Sequence, residues 1–363
     1  MLRNITLSLI TIIFSYTGWA QSKDTTAKVA VDTAKPAAPA PAPALSITGS
    51  ADLYYRYDFN KINNDLTSFT NSHDQFKLGM ATVKLEHKTA KMDMVADLGF
   101  GPRAQEFAYN DAGIVQAIKQ LYISYSPTSW LKLTGGTWAT HIGYEVVDAY
   151  ANRNYSMSYM FTNGPFSHTG ARADFTYGKS GFMIGVSNPT DFRSIPAGGQ
   201  NNKNMIAQYS WAPSDNFKLY LNYVGGRNIV DDKVHQYDLV FTAKASSLFS
   251  FGGNGTINNS NTAASRWTDK STWWGGALYL NLDPKPWFGL TLRSEYFSDL
   301  DGVKLPVPAK IFANTLSANF KVDGFIFIPE FRFDNASEAL FTKKDGTTTK
   351  GDGSFVLAAV YSF

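Results

Sequence analysis

The chain is predicted to fold as an all-β, transmembrane antiparallel up-and-down β-barrel of about 16 strands. Three observations carry that prediction: an export signal at the N-terminus, apolar side chains recurring on every second position, and connections that alternate between short and long.

The first element is the export signal. Residues 1–20 carry one positive charge at Arg3, an apolar run from Ile5 to Tyr16, and small residues at Gly18 and Ala20 ahead of Gln21. This pattern predicts cleavage after Ala20. The apolar run is shorter than the roughly 20 residues a membrane-spanning helix needs, and no later stretch supplies them. Residues 21–45 follow as a spacer rich in Ala, Pro, Thr and Lys, with PAAPAPAPA from Pro36 to Ala44. Such composition cannot bury a core and favours extended polyproline II, so it reads as a periplasmic linker.

Residues 46–363 form one compositional unit, assigned to the barrel. It holds no cysteine, so neither disulfides nor thiolate chemistry contribute. Its charges nearly cancel, with no basic block for nucleic acid to grip. Aromatic residues reach 15% of the chain while mean hydropathy stays mildly negative. Apolar side chains are therefore segregated by alternation, as in a sheet with lipid on one face and a polar lumen on the other.

Strand by strand the alternation is explicit. Leu53, Tyr55, Tyr57 and Phe59 oppose Asp52, Tyr54, Arg56 and Asp58; Phe288, Leu290, Leu292 and Tyr296 oppose Thr291, Arg293 and Glu295. Phe325, Phe327, Phe331 and Phe333 oppose Glu330, Arg332 and Asp334, and the final strand places Phe355, Leu357, Ala359, Tyr361 and Phe363 on one face. Faces with charges of both signs are rejected by lipid and must point inward. Two irregularities are expected. Phe76, Leu78 and Met80 run out of phase with Val83 and Leu85, which predicts a bulge near Ala81. Pro329 interrupts a strand, which predicts a bulge or an unpaired position there.

Short connections fall near residues 89–91, 127–129, 178–180, 213–216, 245–247, 284–286 and 322–324. Long ones fall near 60–72, 102–114, 142–167, 190–203, 226–233, 259–271, 299–310 and 335–352. Seven short turns and eight long loops place both termini on the periplasmic side. Aromatics just after the turns (Trp130, Phe182, Phe217, Phe249, Trp287 and Phe325) predict a girdle at that interface.

Two constellations are candidates for function. The 142–167 loop carries Glu145, Asp148 and Arg153 among many aromatics, and mixed charges at a narrowing would set up a field favouring polar solutes. The inward charges Asp52, Arg56, Asp58, Arg172, Asp174, Arg293, Glu295, Glu330, Arg332 and Asp334 are expected to line the pore. The alternative is mutual neutralisation in buried ladders. Both signs occur in similar numbers, so strong ion selectivity is not expected.

Catalysis is not expected. His73 beside Asp74 and His168 beside Ser167 sit near loops, but adjacent strand residues point to opposite faces and make poor dyads. Asp299 and Asp301 before Gly302 lack the further ligands of a calcium loop, and Gly252, Gly253 and Gly255 lack the lysine of a phosphate loop. No metal or cofactor is expected.

The stretches ITGSADLYYRYDFN, MVADLGFGPRAQEF, AIKQLYISYSPTSWLKLTGGTWATHIGYE, NRNYSMSYMFTNGPFSHTG and DPKPWFGLTLRSEYFSD resemble the porin-2, OmpL-like family of outer-membrane barrels common in Bacteroidetes. The resemblance covers nearly the whole barrel. It implies transport of small hydrophilic solutes by passive diffusion, without naming a solute or transferring catalytic residues. In general-diffusion porins the third long loop folds inward, and the 142–167 loop holds that ordinal place. The partners implied are outer-membrane lipid, small polar solutes, and the barrel-assembly machinery, which would read the C-terminal strand ending at Phe363. Homotrimerisation is left open. So are two other classes: an accessory barrel that holds partner proteins, and a barrel hydrolase.

Overall fold

The computed structural model describes residues 44–363; the signal sequence and most of the proline-rich spacer lie outside the described residues. Sixteen barrel strands follow one another along the described residues. The first eight are β1 (Ala44–Asp58), β2 (Gln75–Lys88), β3 (Met92–Phe100), β4 (Ile118–Thr128), β5 (Leu131–Ala139), β6 (Ser167–Tyr177), β7 (Ser180–Ser187) and β8 (Asn204–Ser214). The second eight are β9 (Phe217–Arg227), β10 (Lys233–Lys244), β11 (Phe249–Asn261), β12 (Ser271–Lys285), β13 (Phe288–Asp299), β14 (Ala309–Val322), β15 (Phe325–Ala336) and β16 (Gly351–Ser362).

Each strand pairs antiparallel with its sequence neighbours, and β1 closes the barrel against β16 from Ser50↔Ser362 to Asp58↔Ser354. Closure leaves no unpaired edge, which a sheet in hydrocarbon requires. Beyond the paired ladder, Gly49 and Phe363 exchange backbone hydrogen bonds at 3.0 and 3.2 Å, so the last residue is part of the seam. The Phe363 ring lies over Gly49, where a Cβ would meet it at 2.8 Å.

Alternation explains the faces. Leu53, Phe76, Leu78, Leu278, Phe312, Phe331 and Phe333 are exposed on the outer wall, where lipid is their solvent, while Tyr54, Arg56 and Asp58 are buried inside. Trp130, Phe182, Trp287 and Phe325 are exposed just past the short turns, with Trp130 stacked near Phe175 and Trp287 near Phe288.

Three local features refine the sequence reading. β1 begins at Ala44, paired with Lys88, two residues ahead of the position expected for the start of the barrel. The expected bulge lies at Gly79 and Met80, which together oppose Asp52 between the Ala51↔Ala81 and Leu53↔Leu78 pairs. Met80 consequently turns inward into an apolar cluster and does not share the outer face of Phe76 and Leu78. Gly79 is required there, because a Cβ would overlap the Asp52 carboxylate. At Pro329 the register with β14 is unchanged, but pairing lapses between Ser317↔Glu330 and Phe320↔Phe327; pairing with β16 continues through Pro329↔Leu357. The proline's missing donor is thus absorbed without a bulge.

Candidate functional site: a loop docked on a charged wall

The segment joining β5 to β6, residues 140–166, folds into the barrel. Asn152 shapes it by accepting from Val146 N at 3.1 Å and donating to Val146 O at 2.6 Å. A single helical turn, α1 (Tyr159–Asn163), is capped by Ser158 Oγ, which accepts from Phe161 N at 3.0 Å. Tyr155 and Met157 are wholly buried, and Ser156, Ser158 and Tyr159 nearly so.

What buries them is the wall formed by β13, β14 and β15. Register places Arg293, Thr315 and Arg332 in one row, with Glu295, Ala313 and Asp334 in the row above and Thr291, Ser317 and Glu330 in the row below. The carboxylates take the loop's backbone donors. Glu330 accepts from Tyr155 N at 2.7 Å and Ser156 N at 3.1 Å, and Glu295 accepts from Tyr159 N at 2.8 Å. The arginines take its carbonyls: Arg293 donates to Ser156 O at 2.6 Å and Arg332 to Met157 O at 2.6 Å. Arg332 also pairs with Asp334 at 2.9 Å and lies 5.0 Å from the Tyr159 ring centre. Burying this many charges is unfavourable unless each is paired and hydrogen-bonded, and here the loop supplies the missing partners.

All ten expected lining residues face the interior, but most do not border water. Arg293 and Glu330 are 0% exposed and Glu295 1%. Asp52, Arg56, Asp58, Arg332 and Asp334 are buried as well. The reason is that loop backbone occupies the space in front of them. Asp52 accepts from Tyr155 Oη at 2.5 Å and from Met80 N, while Arg56 pairs with Asp58 at 2.9 Å and holds the first external loop through Ser72 O. Arg172 and Asp174 pair at 3.2 Å on the opposite wall, where Asp174 stays partly exposed.

The three expected constriction residues are not brought together. Glu145 is buried, receiving Arg293 and Ser158 N. Asp148 reaches Lys119 on β4, which also holds Asp97 at 3.1 Å. Arg153 forks onto Asp283 of β12, at 2.5 and 3.0 Å, and touches Thr291 at 2.8 Å. Asp148 and Arg153 remain partly exposed on the loop. Sequence reasoning missed Lys119, Asp97 and Asp283, although strand alternation already turns Asp97 and Asp283 inward.

External loops pack over the docked segment. Arg103, buried in the second loop, lies between the Phe69 and Tyr155 rings at 4.9 and 4.7 Å and faces Asp52 at 3.7 Å. Sequence gave no signal for it. Asp191 of the fourth loop accepts from Phe166 N at 2.7 Å, Ser167 N at 2.8 Å and Tyr109 Oη at 3.1 Å. Burial pushes its carboxyl up to about 6, against the lowering effect of those backbone donors. Asp299, part of the incomplete calcium pattern, caps its own loop by accepting from Val303, Lys304 and Leu305 N.

The histidine pairs do not form dyads. His73 Nδ1 accepts from Asp58 N at 3.2 Å, whereas Asp74 accepts from Tyr55 Oη. His168 Nε2 contacts Thr140 Oγ1 at 2.9 Å.

Comparison with known proteins agrees with this geometry. A family model described as "Putative beta-barrel porin-2, OmpL-like" matches residues 44–363. No curated protein shows significant sequence similarity to the chain. Among solved structures, the anion-selective porin from Comamonas acidovorans superposes with a TM-score of 0.62 at 8% identity, over 89% of this chain and 100% of that one. The outer membrane channel DcaP of Acinetobacter baumannii gives 0.61 at 12% identity, over 88% and 97%. OmpT of Vibrio cholerae, in its trimer form, gives 0.60 at 9% identity, over 89% and 100%. At these identities the structures show a shared fold.

Proposed function

Because the chain belongs to the beta-barrel porin-2, OmpL-like family, we propose that it is an outer-membrane porin in which the docked 140–166 segment sets the size limit for small hydrophilic solutes moving passively down their gradients. The observation that carries this reading is the anchoring of that segment to β4, β12, β13 and β15 by its own charges and backbone. A segment so held narrows the lumen in a fixed way. Asp148 and Arg153, the charged groups that keep some exposure, would meet solutes at the narrowing. Small solutes pass most readily through such a gap, and interior charges of both signs disfavour apolar ones.

Purified protein in a planar bilayer should give small, stepwise conductance, and deleting 145–160 should enlarge it. A normally folded barrel with no conductance would sink the channel reading. A second reading, an accessory barrel holding a partner, is favoured by the near-complete burial of the wall charges beneath the loop. A stoichiometric partner co-purifying with a non-conducting barrel would support it.

Delivery through a cleaved signal and insertion by the barrel-assembly machinery, guided by the strand ending at Phe363, complete the proposal. The OmpT structure in trimer form motivates a homotrimer here too. Light scattering of the detergent-solubilised protein tests that, a monomer mass counting against it.

A further inference from the structure

In the periplasmic half of the lumen the inward carboxylates are matched by cations. Glu86 meets Lys84 at 3.1 Å and Asp93 meets Lys132 at 3.7 Å. Asp174 meets Arg172 at 3.2 Å, and Asp283 meets Arg153 at 2.5 Å. One wall departs from this balance. On β9 and β10, alternation from the inward pair Asn222 and Asp238, which bond each other at 2.7 Å, turns Lys218 and Lys244 inward as well.

Lys218 stands opposite Thr242, which makes Lys244 its diagonal neighbour on the same face, about 7 Å away at the backbone. Among the described residues neither ammonium forms an ion pair or a side-chain hydrogen bond. The inward carboxylates on the nearby strands are already held: Asp238 of β10 by Asn222, Asn254 and Gly143 N, and Asp283 of β12 by Arg153. Asp215 lies in the exposed turn below. The surroundings are neutral donors: Tyr220 is inward on β9, and Thr242 and Ser250 face in from β10 and β11. Two like charges side by side repel unless a counter-charge joins them.

We infer that Lys218 and Lys244, with the hydroxyls of Tyr220 and Thr242, form a binding site for small multivalent anions, of carboxylate or phosphate chemistry, at the periplasm-facing mouth of the lumen. A divalent anion would bridge the two ammonium groups and receive the hydroxyls as neutral donors. The site makes the two ends of the pore unlike, because these two cations stand on the periplasmic side of the docked segment. Its effect on current rests on the channel reading, whereas binding itself does not.

The test uses the full barrel in a planar bilayer with tripolyphosphate added to one compartment and then the other. Insertion direction is read from an Ala90→Cys variant, the chain's single cysteine, labelled by a membrane-impermeant thiol reagent. Block is expected from the periplasmic side and should weaken as salt rises past about 0.1 M, where the Debye length is about 10 Å. In the Lys218→Gln/Lys244→Gln variant the half-blocking concentration should rise about tenfold, as expected when the charges that attract a ligand are removed. The Lys218→Arg/Lys244→Arg variant should restore it. Equal block from both sides, or block unchanged in the glutamine variant, overturns the site. If the barrel does not conduct, phosphorus NMR of tripolyphosphate with the folded protein decides. Line broadening lost in the glutamine variant supports the site, and broadening that is absent or retained refutes it.

Discussion

Replacing Arg293 by Met should loosen the docked segment while leaving the barrel closed. Arg293 makes four contacts with that segment: the Glu145 carboxylate, Ser156 O at 2.6 Å, Ser156 Oγ at 3.4 Å and Met157 O at 3.3 Å. It makes two with the wall, Thr315 Oγ1 at 3.0 Å and the Glu295 carboxylate at 3.6 Å. Methionine fills similar space but donates nothing, so Glu145 keeps only Ser158 N and two carbonyls lose a donor. Hydrogen bonds to charged groups contribute about 1.5–3 kcal/mol each, yet they are not additive within one network. Breaking one side of a buried ion pair costs about 3–5 kcal/mol. Taking about 4 kcal/mol for the docked state, the ratio of docked to released segment falls roughly a thousandfold.

The β13 ladder to β12 and β14 is backbone-made and survives. The loss should therefore appear as brief larger openings in single-channel records and as faster thermolysin cleavage within 145–160. The folded barrel should still migrate differently before and after boiling on a gel. Lys343→Met, in the last external loop, serves as the control. Unchanged conductance and cleavage in a properly folded Arg293→Met barrel would refute the view that this wall anchors the segment.

Other outcomes follow from the same geometry. Asp191 has its carboxyl raised to about 6 in the folded state, so the stability it contributes is fully present below the unfolded value of 3.8 and is lost as pH rises through about 6. The window is worth about 3 kcal/mol. Backbone amides of Phe166 and Ser167 should exchange more slowly at pH 5 than at pH 7.5 after correction for intrinsic rates, and Asp191→Asn should flatten that difference. Gly79→Ala drives a Cβ into Asp52 and should destabilise the barrel by about 1–3 kcal/mol in a urea titration from detergent, whereas Gly255→Ala, where a Cβ meets nothing, should not. Phe363→Ala removes the ring over Gly49 and the terminal aromatic; less folded protein should reach the outer-membrane fraction, and an unchanged yield would free that residue from a role in assembly.

The barrel was legible because each strand reports its own orientation. Lipid on one side and polar interior on the other make hydropathy alternate, and the turns between strands are short where both ends must meet at once. The reading failed where the interior is itself apolar. Met80 looked like an outer residue in line with Phe76 and Leu78, but it packs inside near Phe69, Phe107 and Phe166. Hydropathy cannot separate lipid from an apolar lumen cluster, so the bulge was visible only as a conflict of phase.

For the charged wall, alternation says which way Glu330 points but not what stands before it. Its partners, Tyr155 N and Ser156 N, lie 175 and 174 residues earlier in the chain. The charge balance does carry a usable signal. On β13 and β15 four inward carboxylates, Glu295, Asp299, Glu330 and Asp334, face two guanidiniums, Arg293 and Arg332, and only Asp299 is answered by its own loop. A buried carboxylate left over must find N–H donors, and strand amides are already committed to the ladder. The donors must then come from a segment inside the barrel, and the long 140–166 connection is the one that supplies them. Surplus acid in a barrel wall therefore argues for a docked loop. Surplus base at the mouth, as at Lys218 and Lys244, meets no such segment and is left for a solute to answer.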